Sequence, residues 1–306
     1  MKNFNEGNVK DFTAPTSLPV SPTQASEWQH ANRSWWERNP MRYDWNRANQ
    51  YREFTKEFFI EIDKSFFSNA REYLRRDSEL PFNEFIHFSD LGTKDVLEIG
   101  VGNGSHAQLL ASHAKTFAGI DLTDYAVQAT KKRMSVFGLT ADIKRMDAEK
   151  LEFRDGSFDF VWSWGVIHHS ANTKRILDEI HRILRPGGTA VLMVYHRGWW
   201  NYYVTGLLRG IISGKLFKFR SLSKSIQMNT DGALARYYTI SEWRALMAPL
   251  FLEKKIEVRG PCADLILLPG GRLKDVALRH FPLSLNRFLT GALHMGVFLV
   301  STLSKR

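Results

Sequence analysis

The stretch Val96-Leu97-Glu98-Ile99-Gly100-Val101-Gly102-Asn103-Gly104 decides the fold. It is an apolar run closed by an acid and then by glycines at alternate positions. Val96 to Ile99 suits a buried strand, and Ser105 to Ala114 has the polar start and apolar spacing of a helix. The glycines therefore occupy a strand-to-helix turn, the place where an open α/β sheet binds ligands beyond the carboxyl ends of its strands. A dinucleotide fingerprint wants glycines at the first, third and sixth positions of such a turn. Counted from Gly100 the sixth position is Ser105, so this turn serves a different ligand.

Downstream, strand and helix patterns alternate. Thr116 to Ile120, Ala141 to Met146, Phe158 to Trp164 and Thr189 to Tyr195 read as further strands. Asn172 to Leu184 reads as a helix with one apolar face, stopped by Arg185-Pro186-Gly187-Gly188. This alternation predicts an α/β fold, a parallel sheet with helices on both faces. Beyond Tyr195 the order loosens into an inserted lid over residues 197–238, then a capping box at Thr239 and Glu242. Closing strands are expected at Lys255 to Val258 and Gly296 to Thr302, with a second insert at 263–292 between them.

The pattern Glu-x-Gly-x-Gly-x-Gly resembles motif I of the class I S-adenosylmethionine-dependent methyltransferases. Phe158 to His169 resembles that family's fourth-strand motif, and Leu184 to Thr189 its fifth-strand entry, so the likeness covers about residues 90–200. Tyr195-His196-Arg197 and the run from Asp231-Gly232 to Tyr238-Thr239 are similar to the methyltransferase-11 type acting on small molecules. The resemblance implies a Rossmann-like, seven-stranded, mostly parallel sheet with S-adenosyl-L-methionine as cofactor. It implies cofactor contacts from Glu98, Gly100, Gly102, Gly104, Asp121, Leu122, Asp147, Ala148 and Ser163. Asp121, ending the second strand, suits a carboxylate that accepts both ribose hydroxyls; the competing reading is a cap for the helix after Asp124. The resemblance implies that Asp147 holds the adenine amino group, with Ala148 offering a backbone N–H.

Methyl transfer from a sulfonium is an in-line displacement, so positioning the acceptor does most of the work. A base is needed where the acceptor must lose a proton, as a hydroxyl does. His168 and His169 follow the fourth strand and His196 the fifth, which makes them candidate bases, or else partners of nearby backbone. Tyr43, Trp164 and Tyr195 are candidates to shape the acceptor site, and Arg197 and Arg236 to hold an acidic group on it. O-methylation is favoured over N- or C-methylation, on a lipid-like, quinone-like or secondary-metabolite acceptor.

The N-terminal third is expected to divide into a flexible tail at 1–27, rich in proline and polar residues, and a helical cap at 28–90. The cap holds Trp28, Trp35, Trp36, Tyr43 and Trp45, followed by phenylalanines at helical spacing from Tyr51 to Leu74. These aromatics read either as core or as a cover for the cofactor pocket.

Composition sets limits on the rest. The 306 residues, 43% hydrophobic, suffice for a full core, and 91–306 reads as one catalytic domain with inserts. The single cysteine, Cys262, excludes a disulfide framework and a cysteine-cluster zinc site. No acid follows the fourth strand between Gly165 and Thr173, which argues against a catalytic metal. Met1 to Asn8 lacks the apolar core of a signal peptide, so a cytoplasmic protein is expected. The net charge is +10, and residues 205–306 hold 16 Lys/Arg against 6 Asp/Glu, which accounts for the whole surplus. A basic face of this kind can attract an anionic membrane surface, a nucleic acid or an acidic small molecule, or is simply a solvated surface. Ser163-Trp164-Gly165-Val166 stands where base-flipping amino-methyltransferases carry an Asp/Asn-Pro-Pro-aromatic run, which argues against nucleic acid. Two other classes stay open: a cofactor-binding partner module without catalysis, and a peripheral membrane or RNA binder using the basic third.

Overall fold

The computed structural model describes residues 9, 11–12, 14–43, 49–74, 80–268 and 271–306. Two helices, α1 (Pro22–Arg38) and α2 (Lys56–Ala70), precede the sheet. Each begins on a hydroxyl cap: Ser21 accepts from the N–H of Gln24, and Thr55 from that of Phe58. Trp45 lies outside the described residues.

The sheet then forms in the expected alternation. β1 (Asp95–Ile99) leads through the glycine turn into α3 (Ser105–Ala111), and β2 (Thr116–Asp121) into α4 (Asp124–Val136). After β3 (Asp142–Arg145) and β4 (Phe158–Trp164) comes α5 (Thr173–Ile183), then β5 (Leu184–His196). The helix-stopping Arg185-Pro186-Gly187-Gly188 falls within β5, where the β4–β5 register shifts between Phe158 and Phe160. β1 to β5 pair in parallel, in the order β3-β2-β1-β4-β5. The order reverses at β1, and that switch point opens the crevice at the strands' carboxyl ends.

The lid is a series of short helices: a wide turn at Trp199–Val204, then α6 (Thr205–Ile212), α7 (Lys215–Phe219) and α8 (Leu222–Gln227). The chain returns through β6 (Tyr237–Tyr238), α9 (Ile240–Met247) and β7 (Phe251–Arg259). Thr239 and Glu242 form the expected capping box on α9. The second insert carries α10 (Arg272–His280) and α11 (Leu283–Arg287), and β8 (Phe298–Lys305) closes the sheet antiparallel to both β5 and β7.

The sheet has eight strands rather than seven. The extra one is β6, whose Tyr237 and Tyr238 pair with Tyr195 and His196 at the end of β5. The described residues before α1 also touch the lid's return. Phe12 is buried edge-on against Trp28 at 5.7 Å, and the N–H of Val9 donates to Ala233 O at 3.0 Å. The N–H of Tyr237 donates to Pro15 O at 3.0 Å. The described residues before α1 thus form a packed strap, because the lid's return supplies the hydrogen-bond partners that a Pro-rich segment lacks within itself.

Two cores flank the sheet. One face buries Ile176, Leu177, Ile180 and Ile183 of α5, together with Trp243 and Met247 of α9. The other buries Phe66 of α2 with Phe82, Leu110, Phe117, Trp162 and Val191.

Candidate active site

A cavity of about 490 Å³ opens at the carboxyl ends of β1, β2, β4 and β5. Its floor is the stretch Ile99 to Asn103. Gly102, at φ +53°, has nothing within 4 Å of where a Cβ would point, so a bare backbone edge faces open space. Gly100 serves packing instead: a Cβ there would fall 2.2 Å from Val166. Gly104 is not part of the lining, and its lack of a side chain leaves room for buried Arg133, 2.9 Å from where a Cβ would be.

Acids flank the turn. Glu98 is buried behind it; its Oε1 lies 3.7 Å from His106 Nδ1 and its Oε2 has no partner. Burial, with the neighbouring Asp121, pushes the Glu98 carboxyl well above the ordinary range, against the opposing pull of Arg133. Asp121 lines the cavity. Its Oδ2 accepts from Gly102 N at 3.1 Å and its Oδ1 from the N and Oγ1 of Thr123 at 3.0 and 2.8 Å. Thr123, not Asp121, caps α4. Leu122 and Ala148 also line the cavity. Asp147 stands outside the lining, its Oδ1 accepting from Gln29 Nε2 at 2.8 Å and from Glu149 N at 2.9 Å. Ser163 is buried within the sheet, donating to Ile99 O at 3.1 Å and tying β4 to β1.

The N-terminal helices roof this crevice. Gln29, Asn32 and Trp36 of α1, with Pro40, Met41 and Tyr43 after it, line the cavity. Asn32 Oδ1 is buried without a partner. Gln29 bridges two loops, since its Oε1 also accepts from Ala171 N at 3.1 Å. Glu37 accepts from the N–H groups of Asp124 and Tyr125 at 2.8 and 3.0 Å, which fixes the end of α1 on the start of α4. Asp63 of α2 accepts from Ser105 Oγ at 2.7 Å and pairs with Arg133, so the second helix is locked to the glycine turn.

Among the candidate bases, His169 alone lines the cavity. Its Nδ1 lies 2.8 Å from Leu234 O. A carbonyl only accepts, so Nδ1 carries the hydrogen and Nε2 keeps a free lone pair. Nε2 is buried without a protein partner. Burial holds the His169 pKa below its ordinary value, more than offsetting the upward pull of Asp231 and the Leu234 carbonyl. Gly232, at φ +84°, permits this arrangement, because a Cβ there would fall 2.5 Å from His169 Nδ1. His168 is fully buried beneath, its ring 4.1 Å from that of His169 and 4.0 Å from that of Tyr195, and neither nitrogen has a partner. His196 is directed away, its Nδ1 2.9 Å from Gly296 O.

Tyr43, Trp164 and Tyr195 all line the cavity. Tyr195 donates to Asp231 Oδ1 at 2.9 Å, and Asp231 lines the cavity too. The two arginines do not reach it. Arg197 pairs with Glu242, the capping residue of α9. Arg236 is fully buried and donates to three backbone carbonyls, those of Ser17, Ser170 and Ala171. It fastens the N-terminal strap to the His168-His169 loop, so its charge is spent on backbone.

Sequence reasoning passed over Glu72. It follows α2 and lines the cavity near Tyr73, Trp164 and Phe298. The nearby backbone of Ala263 and Cys262 favours its charged form, yet Oε2 is buried without a partner, and desolvation raises its pKa. Its only signal was an acid at the end of an aromatic helix, which reads as surface. No cluster of metal-ligating side chains occurs among the described residues.

Comparison with known proteins agrees with this geometry. Residues 97–192 match the model of a methyltransferase domain. Over 101 residues the chain is 42% identical to the phthiotriol/phenolphthiotriol dimycocerosates methyltransferase of Mycobacterium tuberculosis (strain ATCC 25618 / H37Rv), covering 32% of this chain and 37% of that one. Over 148 residues it is 28% identical to the ubiquinone/menaquinone biosynthesis C-methyltransferase UbiE of Bordetella avium (strain 197N), covering 44% of this chain and 58% of the relative. The match thus spans less than two thirds of either relative. An S-adenosylmethionine-dependent methyltransferase from Mesorhizobium loti shares the fold with a TM-score of 0.50 at 16% identity, over 71% of this chain and 93% of that one. The unpartnered buried acid at Glu98, the open glycine edge and Asp121 form a donor and acceptor set that fits the ammonium, sulfonium and ribose of that cofactor. Residues 97–192 are by that match a methyltransferase domain, and its site suits S-adenosylmethionine as cofactor.

Proposed function

We propose that the protein transfers a methyl group from S-adenosylmethionine to a hydroxyl oxygen of an apolar, lipid-like small molecule. The observation that carries this reading is His169, a residue of the cavity wall whose buried Nε2 has no protein partner and whose tautomer is set by Leu234 O.

S-adenosylmethionine, when bound, supplies an electrophilic methyl group on sulfur. Glu98, behind the turn, answers a cationic amino group, the backbone at Gly102 admits close approach, and Asp121 offers its carboxylate to ribose hydroxyls. On the acceptor side, Phe66, Tyr73, Trp164, Met193 and Phe298 give an apolar wall. That wall excludes water and holds the acceptor in line, the larger part of the rate enhancement for a displacement of this kind. His169 takes the hydroxyl proton at Nε2 as the oxygen attacks. Glu72 Oε2 and Asp231 remain to orient polar groups on the acceptor. The cavity falls within the range of roughly 300–1,000 Å³ usual for small-molecule sites.

The names of the relatives support an apolar acceptor, one being a methyltransferase of phthiotriol and phenolphthiotriol dimycocerosates and the other of ubiquinone and menaquinone biosynthesis. The latter is named as a C-methyltransferase, and so makes carbon the competing atom. The test is incubation with methyl-labelled S-adenosylmethionine and long-chain phenols and prenylated hydroquinones, with products resolved by NMR. A methoxy signal supports the reading. A ring C-methyl signal overturns the oxygen assignment, and no transfer by protein that binds S-adenosylhomocysteine leaves a cofactor-binding module.

A further inference from the structure

The lid and the second insert carry a surface that the cavity does not use. Of 19 large apolar side chains left exposed among the described residues, 15 lie between positions 199 and 293, so the exposure is concentrated. α6 shows why this is not incidental. Its small residues Thr205, Gly206 and Gly210 face inward, while Leu207, Leu208, Ile211 and Ile212 face out. A Cβ on Gly206 would fall 2.6 Å from Ile226, and one on Gly210 2.7 Å from Ser225 Oγ. The glycines let the helix press onto α8 with its apolar side turned to solvent, the reverse of a helix built for a core.

The exposed segments adjoin one another around the turn Cys262–Asp264. Arg209 of α6 reaches Asp264 at 3.5 Å, and Lys274 of α10 acts on the same carboxylate. Trp200 Nε1 donates to Asp264 O at 3.1 Å, and Trp199 Nε1 to Leu293 O at 2.9 Å. Ile212 is 85% exposed, Leu273 of α10 80% and Phe217 of α7 69%. Around them cations outnumber acids, Asp275 being the exposed acid of α10. No acid occurs from 197 to 230, and Arg209, Lys218, Arg220, Arg272 and Arg279 are exposed. Pro261 and Ala263, on the same turn, line the cavity.

We propose that this surface docks on an anionic membrane leaflet. The outward apolar side chains enter the boundary between headgroups and acyl chains, and the arginines and lysines meet lipid phosphates. The cavity edge at Pro261 and Ala263 then adjoins the bilayer, and a lipid-like acceptor enters from it. Entry of the acceptor rests on the function proposed above; docking does not. A second copy of the chain suits the surface less well, because a two-fold contact lays like charges against each other. Nucleic acid would use the cations but not apolar tips such as Ile212 and Leu273.

The test is flotation of the full chain with vesicles of phosphatidylcholine alone and of phosphatidylcholine mixed with phosphatidylglycerol. The protein is expected to float with the mixed vesicles, to stay behind with the neutral ones, and to be partly released by salt. The triple variant Ile212→Glu, Phe217→Glu, Leu273→Glu is expected to lower the bound fraction about tenfold while binding S-adenosylhomocysteine as the parent does. Leu252→Glu, an exposed apolar position on β7, is expected to change nothing. Docking is overturned if the parent stays behind with mixed vesicles or the triple variant floats as well as the parent. It is equally overturned by a dimer that the triple variant breaks, or by salt-dependent RNA binding without flotation. Retained S-adenosylhomocysteine binding in any of these results leaves the methyltransferase reading standing.

Discussion

The Nδ1 of His169 and the carbonyl oxygen of Leu234 lie 2.8 Å apart, and this one contact orients the only candidate base that reaches the cavity. Removing the imidazole while keeping a polar side chain, as in His169→Gln, is expected to lower kcat by about 10²–10⁴-fold. S-adenosylhomocysteine affinity is expected to hold within a few-fold. Because burial lowers the His169 pKa, the parent kcat/KM is expected to be flat at neutral pH and to fall on the acid side below about 6.5. A variant with unchanged kcat removes His169 from the chemistry.

Gly232 gives an independent check on the same contact. Alanine there meets both a left-handed backbone, φ +84°, and His169 Nδ1 at 2.5 Å. Gly232→Ala is expected to destabilise the fold by about 1–3 kcal/mol in urea unfolding and to lower kcat well beyond what that loss explains. Full activity would mean that the ring needs no such fit.

Arg236 is predicted to matter for stability rather than for recognition of an acid. Arg236→Met leaves the carbonyls of Ser17, Ser170 and Ala171 without their donor and is expected to cost about 3 kcal/mol. Limited proteolysis is expected to cut the strap before α1 far faster than in the parent. An unchanged cleavage pattern together with a raised KM for acidic acceptors would restore the substrate role.

The pH dependence of stability has a worked sign. Burial among Phe66, Phe82 and Trp162 pushes His106 down to about 3. Its contribution is fully present above the unfolded value of about 6.5 and is lost as pH falls toward 3, because only the unfolded chain takes up the proton. The loss is about 1.4 kcal/mol per pH unit at most. Urea midpoints of the parent between pH 7 and pH 4 are expected to fall more steeply than those of His106→Gln, a comparison that removes terms common to both chains. Equal slopes would show that His106 titrates normally.

Much of this was legible from residues alone. The turn from Val96 to Gly104, the five parallel strands and the Thr239 capping box were readable because each rests on local pattern, periodicity or a fixed spacing. What escaped was set by distant partners. β6 is a strand only because Tyr237 and Tyr238 meet the end of β5, and two residues carry no period. The contact of Arg236 with Ser17 joins residues more than 200 positions apart, which no local pattern announces. Asp147 was placed at the adenine by motif position, yet Gln29 of α1 holds its carboxylate, a contact no spacing rule announces. Glu72 looked like a surface acid until α2 and the 261–264 turn enclosed it.

The central claim is that the cavity over Gly100 to Gly104 holds the methyl donor. Calorimetric titration of S-adenosylhomocysteine into the parent and into Asp121→Ala tests it most directly. Saturable one-to-one binding by the parent, weakened at least about tenfold by Asp121→Ala in a folded sample, is the predicted result. No binding by folded parent, or equal binding by the variant, would contradict it.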